Sequence, residues 1–83
     1  MFYEAVWYNG WIEPPAYILL EEVEGNTPEE ALRDNLDRLT QLVRDIYRVD
    51  KEDWNDDDIQ DTLYLLSNDR KVSLYTLQRA GLL

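Results

Sequence analysis

The chain begins with an apolar, aromatic run that only Glu4 interrupts, and this pattern predicts a β-strand. Aromatic and β-branched residues dominate from Phe2 to Tyr8, and such residues are enriched in strands. Asn9-Gly10 is a turn signal, and Pro14-Pro15 cannot lie in a central strand, so the connection should reach residue 15. A second strand is predicted from Ala16 to Glu24. The two strands are expected to pair as an antiparallel hairpin with a long loop.

The direction of the side chains alternates along a strand, and this assigns the side chains of the first strand to two faces. Successive side chains of a strand point to opposite sides of the sheet, so one face is expected to carry Tyr3, Ala5 and Trp7. We expect one face to cover a helix, with Trp7 in the core, and the other to stay partly exposed. The second face carries Phe2, Glu4, Val6 and Tyr8.

The spacing of apolar residues then changes to threes and fours, which predicts a long amphipathic helix at residues 28–48. Thr27 suits the N-cap, Pro28 suits the first helical position, and Glu30 completes a capping box. The stripe on the buried face consists of Leu32, Leu36, Leu39, Val43 and Ile46.

A polar linker, Asp50 to Asp58, separates this helix from a second one. Asn55 or Asp56 is expected to cap the second helix. Its apolar face would consist of Ile59, Leu63 and Leu66.

The last segment fits two structures. Ser73 suits the N-cap of a short helix that Gly81 would end. The residues from Val72 to Gln78 also fit a third strand beside the hairpin. The helix is favoured slightly. The expected fold is therefore α+β in a single domain, residues 1–83: an N-terminal antiparallel β-hairpin packed on a long amphipathic helix, then a second helix and a short C-terminal helix or third strand.

The residue types present exclude several kinds of chemistry. The 83 residues include no cysteine and no histidine, so disulfides, Cys/His zinc sites and nucleophile triads that need these residues are excluded. The best calcium-loop register starts at Asp53, but it places Asp58 where glycine is needed and Tyr64 where a bidentate glutamate is needed. We therefore expect no metal, no cofactor and no enzymatic activity.

The formal net charge of −10, from eighteen acidic and eight basic residues, bounds the choice of partners. Phosphate and anionic membranes would repel this chain, so neither direct nucleic-acid binding nor membrane binding is expected. The apolar runs are too short to cross a bilayer and the N-terminus has no basic segment, which predicts a soluble, cytoplasmic protein. A cationic protein partner is favoured. The excess of arginine over lysine and of aspartate over glutamate also fits a high-salt environment.

Two stretches combine carboxylates with a large aromatic side chain, which is typical of an anchor within a charged interface. We predict that both bind a partner. The stretch in the hairpin loop consists of Trp11, Ile12 and Glu13. The stretch between the helices consists of Asp53, Trp54, Asp56, Asp57 and Asp58.

These features favour a non-catalytic acidic protein-binding module whose partner offers a basic site. An inhibitor that occupies the basic site of a nucleic-acid-binding protein is one form of this function. The alternative is a structural subunit that forms a homodimer through the aromatic sheet face.

The segment from Glu22 to Leu32 contains Gly25-Asn26-Thr27-Pro28-Glu29-Glu30-Ala31. It resembles the strand-to-helix junction of HicB-like antitoxin domains, and the resemblance covers about a quarter of the chain. The Pro-x-Leu-Pro-Gly segment that precedes the junction in that family is absent here. The resemblance implies a further alternative, a small antitoxin-like regulator, and no site residue is carried over from it.

Overall fold

A computed structural model describes residues 1–10, 13–48, 54–67 and 70–83. Four strands form one antiparallel sheet in the order β2-β1-β3-β4. A long helix packs on one face of this sheet, which confirms the predicted α+β fold. The elements are β1 (Phe2–Asn9), β2 (Ala16–Glu24), α1 (Pro28–Tyr47), α2 (Asp56–Gln60), β3 (Leu63–Ser67), β4 (Arg70–Ser73) and α3 (Leu74–Arg79).

The N-terminal hairpin forms as predicted. β1 pairs with β2 along its whole length, from Phe2 opposite Glu24 to Asn9 opposite Ala16. The register shifts once between Ala5 and Val6, which adds one residue to β2. A bulge of this kind increases the local twist of a sheet.

Helix α1 begins and ends with the signals expected at helix termini. The hydroxyl of Thr27 accepts a hydrogen bond from the backbone N–H of Glu30 at 3.1 Å, which satisfies one of the free donors at the helix start. At the other end Arg48 adopts a left-handed conformation with φ 52°. The predicted bounds are therefore confirmed to within one residue.

The core lies between α1 and the inward face of the sheet. Tyr3, Ala5 and Trp7 are buried there, as the alternation predicts. The prediction that Ile46 completes the buried stripe of α1 is wrong, because its side chain is 52% exposed. Tyr47, the next residue, packs on Trp7 instead, with ring centroids 5.1 Å apart. Buried side chains of the other elements are Val23, Ala31, Leu32, Leu39, Val43, Ile59, Leu63, Leu65, Val72 and Leu77.

The second helix is shorter than predicted, and the placement of Leu63 and Leu66 on it is wrong. Helix α2 spans only Asp56–Gln60, and Leu63–Ser67 forms strand β3 against β1. A short apolar run fits both periodicities. Strand pairing prevails here because β1 would otherwise leave one row of backbone donors and acceptors without partners.

The last segment contains both of the structures that its sequence allows, one after the other. Strand β4 ends at Ser73, and Ser73 then caps α3 by accepting a hydrogen bond from the backbone N–H of Thr76 at 3.5 Å. The favoured helix is confirmed, and a strand that continues to Gln78 is excluded. No helix in the described part of the chain has the length and apolarity needed to span a membrane.

Candidate protein-binding surfaces

Exposed carboxylates surround one end of the sheet, where β1 ends and β3 begins. The backbone N–H of Tyr8 donates to the carbonyl of Thr62 at 2.9 Å, so the residues that follow α2 lie beside the end of β1. The hairpin connection leaves the sheet at this same end. We call this region the acidic end; its described carboxylates are Glu13, Asp56, Asp57, Asp58 and Asp61, all exposed.

Asp56 has a structural role within this group. Its Oδ1 accepts hydrogen bonds from Nη2 of Arg44 at 2.6 Å and from Nε at 3.2 Å. The Arg44 side chain is only 8% exposed, and a buried guanidinium requires a partner. Asp56 therefore joins the start of α2 to the last turns of α1.

Asp58 also serves the fold. It forms a capping box with Asn55: the backbone N–H of Asp58 donates to Oδ1 of Asn55 at 2.8 Å, and the backbone N–H of Asn55 donates to Oδ2 of Asp58 at 3.2 Å. This reciprocal arrangement satisfies two free donors at a helix start. The presence of an aspartate at position 58 is therefore explained by helix capping, without a binding partner.

Asp57 and Asp61 differ from these two aspartates. Neither takes part in an ion pair within the described part of the chain. Asp61 is the C-cap residue of α2, beside the carbonyl end of the helix dipole, where a negative charge is unfavourable. Asp57 lies in the first turn of α2, where a negative charge is favourable, but neither side chain is neutralised by a described basic residue.

Of the two predicted aromatic anchors, the structure describes Trp54 but not Trp11. Trp54 is half-buried and lies edge-on to Trp7, with ring centroids 6.0 Å apart. Trp7 belongs to the core, as expected: it is 4% exposed and its indole N–H donates to Oγ1 of Thr62 at 2.8 Å. Trp54 therefore lies at the edge of the core beside the acidic end. Trp11, Ile12 and Asp53 lie outside the described residues.

A second surface is the face of the sheet opposite α1, which we call the open sheet face. Its exposed apolar side chains are Phe2 at 67%, Leu19 at 61% and Tyr17 at 47%. The alternation in β1 therefore identifies the correct outward face, although Val6 on that face is only 4% exposed. The outward side chains are Phe2, Glu4, Val6, Tyr8, Tyr17, Leu19, Glu22, Glu24, Tyr64, Leu66, Lys71 and Ser73.

Tyrosine rings and one lysine form a continuous row of contacts across this face. The rings of Tyr8 and Tyr17 lie 5.1 Å apart, and those of Tyr17 and Tyr64 lie 5.6 Å apart. Nζ of Lys71 donates to the hydroxyl of Tyr17 at 2.7 Å and lies 4.9 Å from both the Tyr17 and Tyr64 ring centroids. This hydrogen bond to Tyr17 raises the pKa of Lys71. All four strands are thereby linked on a face that no described element covers.

An open groove of about 720 Å³ crosses this face at the end where β1 begins. Phe2 and Leu66 provide its apolar surface, and Glu4 and Glu22 lie opposite Lys71 across it. The sequence did not identify this groove, because β3 and β4 were not predicted as strands. The available signal was the alternation of buried Leu63 and Leu65 with outward Tyr64 and Leu66.

Within the described ranges, no three acidic side chains are grouped so that they could hold a metal ion. No family model matches the chain, and neither any curated protein nor any solved structure shows significant similarity to it.

Proposed function

We propose that this protein is a non-catalytic protein-binding domain that docks its acidic end on a basic surface of another protein. The observation that carries the proposal is the pair Asp57 and Asp61, two exposed carboxylates that form no ion pair among the described residues. Asp61 also lies at the carbonyl end of α2, where the helix dipole disfavours a negative charge. Charges placed against local preference are expected at functional sites.

The distribution of basic side chains supports the same proposal. Four of the eight basic residues are held in ion pairs inside the domain: Arg33 with Asp34, Arg38 with Glu21, Arg44 with Asp56, and Arg70 with Glu29. Among residues 1–10, 13–48, 54–67 and 70–83, the other carboxylates form no such ion pair. A net charge of −10 accelerates encounter with a cationic surface, and the acidic end then selects it by charge complementarity.

The partner is best described by its chemistry. Asp57 and Asp61 present charge, and Trp54 beside them offers a partly exposed ring that can pack against a partner's apolar side chain. A groove lined with lysine and arginine that normally holds phosphates would accept this combination. We therefore propose a cytoplasmic inhibitor of a nucleic-acid-binding protein as the specific form of the function.

The test compares three immobilised baits in the same lysate. The first is the unaltered chain and the second is Asp57→Asn/Asp61→Asn. The third is Asp37→Asn/Glu24→Gln, which removes the same amount of charge from two exposed positions on α1 and at the end of β2. Mass spectrometry identifies proteins that the first and third baits retain and the second loses.

A partner found in this way should lose affinity at least tenfold on raising NaCl from about 0.05 to about 0.5 M, because screening weakens contacts between exposed charges. Nucleic acid should also compete for the same site on the partner. Equal retention of one protein by all three baits, with salt-independent affinity, would show that the acidic end is not the binding surface.

A further inference from the structure

We infer that the open sheet face binds a second copy of this chain, with a two-fold axis parallel to the strands. Phe2 and Leu19 expose most of their side chains there, and Tyr17 exposes nearly half. These side chains share one face, although the row of Glu22 and Glu4 lies between Phe2 and Leu19. Large apolar side chains exposed on one face are typical of an interaction surface. The inference is independent of the acidic end, which lies beyond the last residues of β1.

The register supports this symmetry through charge. One row of outward side chains crosses the sheet from edge to edge: Glu22 on β2, Glu4 on β1, Leu66 on β3 and Lys71 on β4. A two-fold axis parallel to the strands places β2 of one copy over β4 of the other. Glu22 then faces Lys71 of the second copy, and this pair occurs twice. A two-fold axis perpendicular to the strands would place β2 over β2 and would separate these charges.

Shape supports the same arrangement. Under this axis, β1 of one copy lies over β3 of the other, so Phe2 projects towards the end of β3 where Leu66 lines the groove. Phe2 is 67% exposed in the single chain and itself lines the open groove of about 720 Å³, so the axis brings the Phe2 rings of the two copies together in the space between the two grooves. An exposed aromatic side chain and an open groove on one face are thus matched by the two-fold axis.

The size of the face sets the strength of the dimer. With a strand spacing of about 4.8 Å and a rise of about 3.3 Å per residue, the four strands give a flat area of about 400 Å² per copy. The two copies would together bury about 800 Å², which is below the range of about 1,200–2,000 Å² for stable specific interfaces, so we expect a weak, transient dimer that forms only at high protein concentration. Because each copy carries a charge of −10, salt should strengthen this dimer by screening the repulsion between copies.

The first experiment measures molar mass by sedimentation velocity from low-micromolar to submillimolar protein, at low and at high NaCl. The unaltered chain should shift from monomer to dimer, and at lower concentration in high salt. Leu19→Ser should weaken the dimer at least about tenfold. Ile46→Ser is the matched control, because it changes an equally exposed side chain on α1 and should leave the dimer unchanged.

The second experiment tests the axis by exchanging charges. Glu22→Lys and Lys71→Glu should each weaken the dimer, because each places like charges face to face. The double variant Glu22→Lys/Lys71→Glu should restore association, since the exchanged pair again has opposite signs across the axis. Circular dichroism checks that each variant keeps its fold, and a variant that loses it is replaced by Glu22→Gln or Lys71→Gln, each expected to weaken the dimer.

Three results would overturn the inference. The chain could remain monomeric at every concentration and salt level. A dimer could form that Leu19→Ser does not weaken. The double charge exchange could fail to restore association although each single variant weakens it, which would exclude this two-fold axis.

Discussion

At the scale of single residues, the packing is tight where β2 passes into α1. A side-chain carbon placed on Gly25 would lie 2.7 to 2.9 Å from atoms of Ala31, including its backbone nitrogen and Cα. Real Cβ atoms do not approach backbone atoms this closely. The absence of a side chain at Gly25 therefore allows the first turn of α1 to pack directly against the end of the hairpin.

We expect Gly25→Ala to destabilise the protein by about 1–3 kcal/mol, because the added methyl group must displace the helix start. Urea unfolding followed by circular dichroism measures this change. Gly10→Ala is the control: the nearest atom belongs to the Tyr8 side chain at 3.4 Å, which can move. Equal stability of the two variants would show that the first turn of α1 can move without a measurable loss of stability, which would contradict this prediction.

At the scale of elements, the sequence predicted best where local signals agree. The bounds of α1 follow from Thr27, Pro28 and the apolar stripe, which all indicate the same helix. The local signals in β3 do not agree on one structure, because Leu63 and Leu66 fit a helix face as well as a strand. Their strand conformation depends on the free edge of β1, which is more than fifty residues away in the chain and invisible to local pattern.

The candidate surfaces could also be predicted from the sequence only in part. Asp56, Asp57 and Asp58 were identified from the acidic run. Only the structure separates Asp56 and Asp58, whose side chains form hydrogen bonds within the fold, from Asp57. The open sheet face was predicted from β1 alone. The contributions of Tyr64 and Lys71 to that face require the pairing of β3 and β4.

An ion pair between two elements gives a prediction for acid stability. Glu29 in the first turn of α1 is paired with Arg70 of β4, and the Glu29 side chain is 14% exposed. Burial opposes ionisation of this carboxyl, but its own backbone N–H and the bond and charge of Arg70 together lower its pKa. Because the folded pKa is lowered, the stabilisation is present above the unfolded value of 4.5 and is lost as pH falls through the folded value.

Glu29→Gln should therefore be less stable than the unaltered chain near neutral pH, and the gap should narrow as pH falls below 4.5. Urea unfolding midpoints across this range measure the gap. The effect should be small, because the Arg70 side chain is 54% exposed. Arg70→Gln should show the same narrowing, whereas a gap that is constant down to strongly acidic pH would contradict the role of this pair.

At the scale of the whole molecule, net charge competes with the ion pairs. Exposed ion pairs contribute about 0–1 kcal/mol each and weaken with salt, whereas a charge of −10 on 83 residues produces repulsion over the whole surface. Three of the four ion pairs join side chains of which at least one is more than half exposed and neither is fully buried. We expect the repulsion to outweigh these pairs.

The thermal unfolding midpoint should accordingly rise as NaCl increases from about 0.05 to about 0.5 M. The measurement is made by circular dichroism at dilute protein, where the chain is monomeric and association does not contribute. Equal concentrations of KCl serve as the control for a specific ion effect. A midpoint that falls with salt would show that the ion pairs outweigh the net charge.

The place of β1 in the sheet has a consequence for how the protein is made. This strand is synthesised before β2 and β3, yet it lies between them in the sheet, and Trp7 pairs with Leu63. In a nascent chain that ends after α1, a hairpin of β1 and β2 would leave unpaired the edge of β1 that β3 later occupies. Such edges recruit other strands. A chain truncated before β3 should therefore aggregate, and rapid synthesis of the residues from β3 onwards should reduce aggregation during translation.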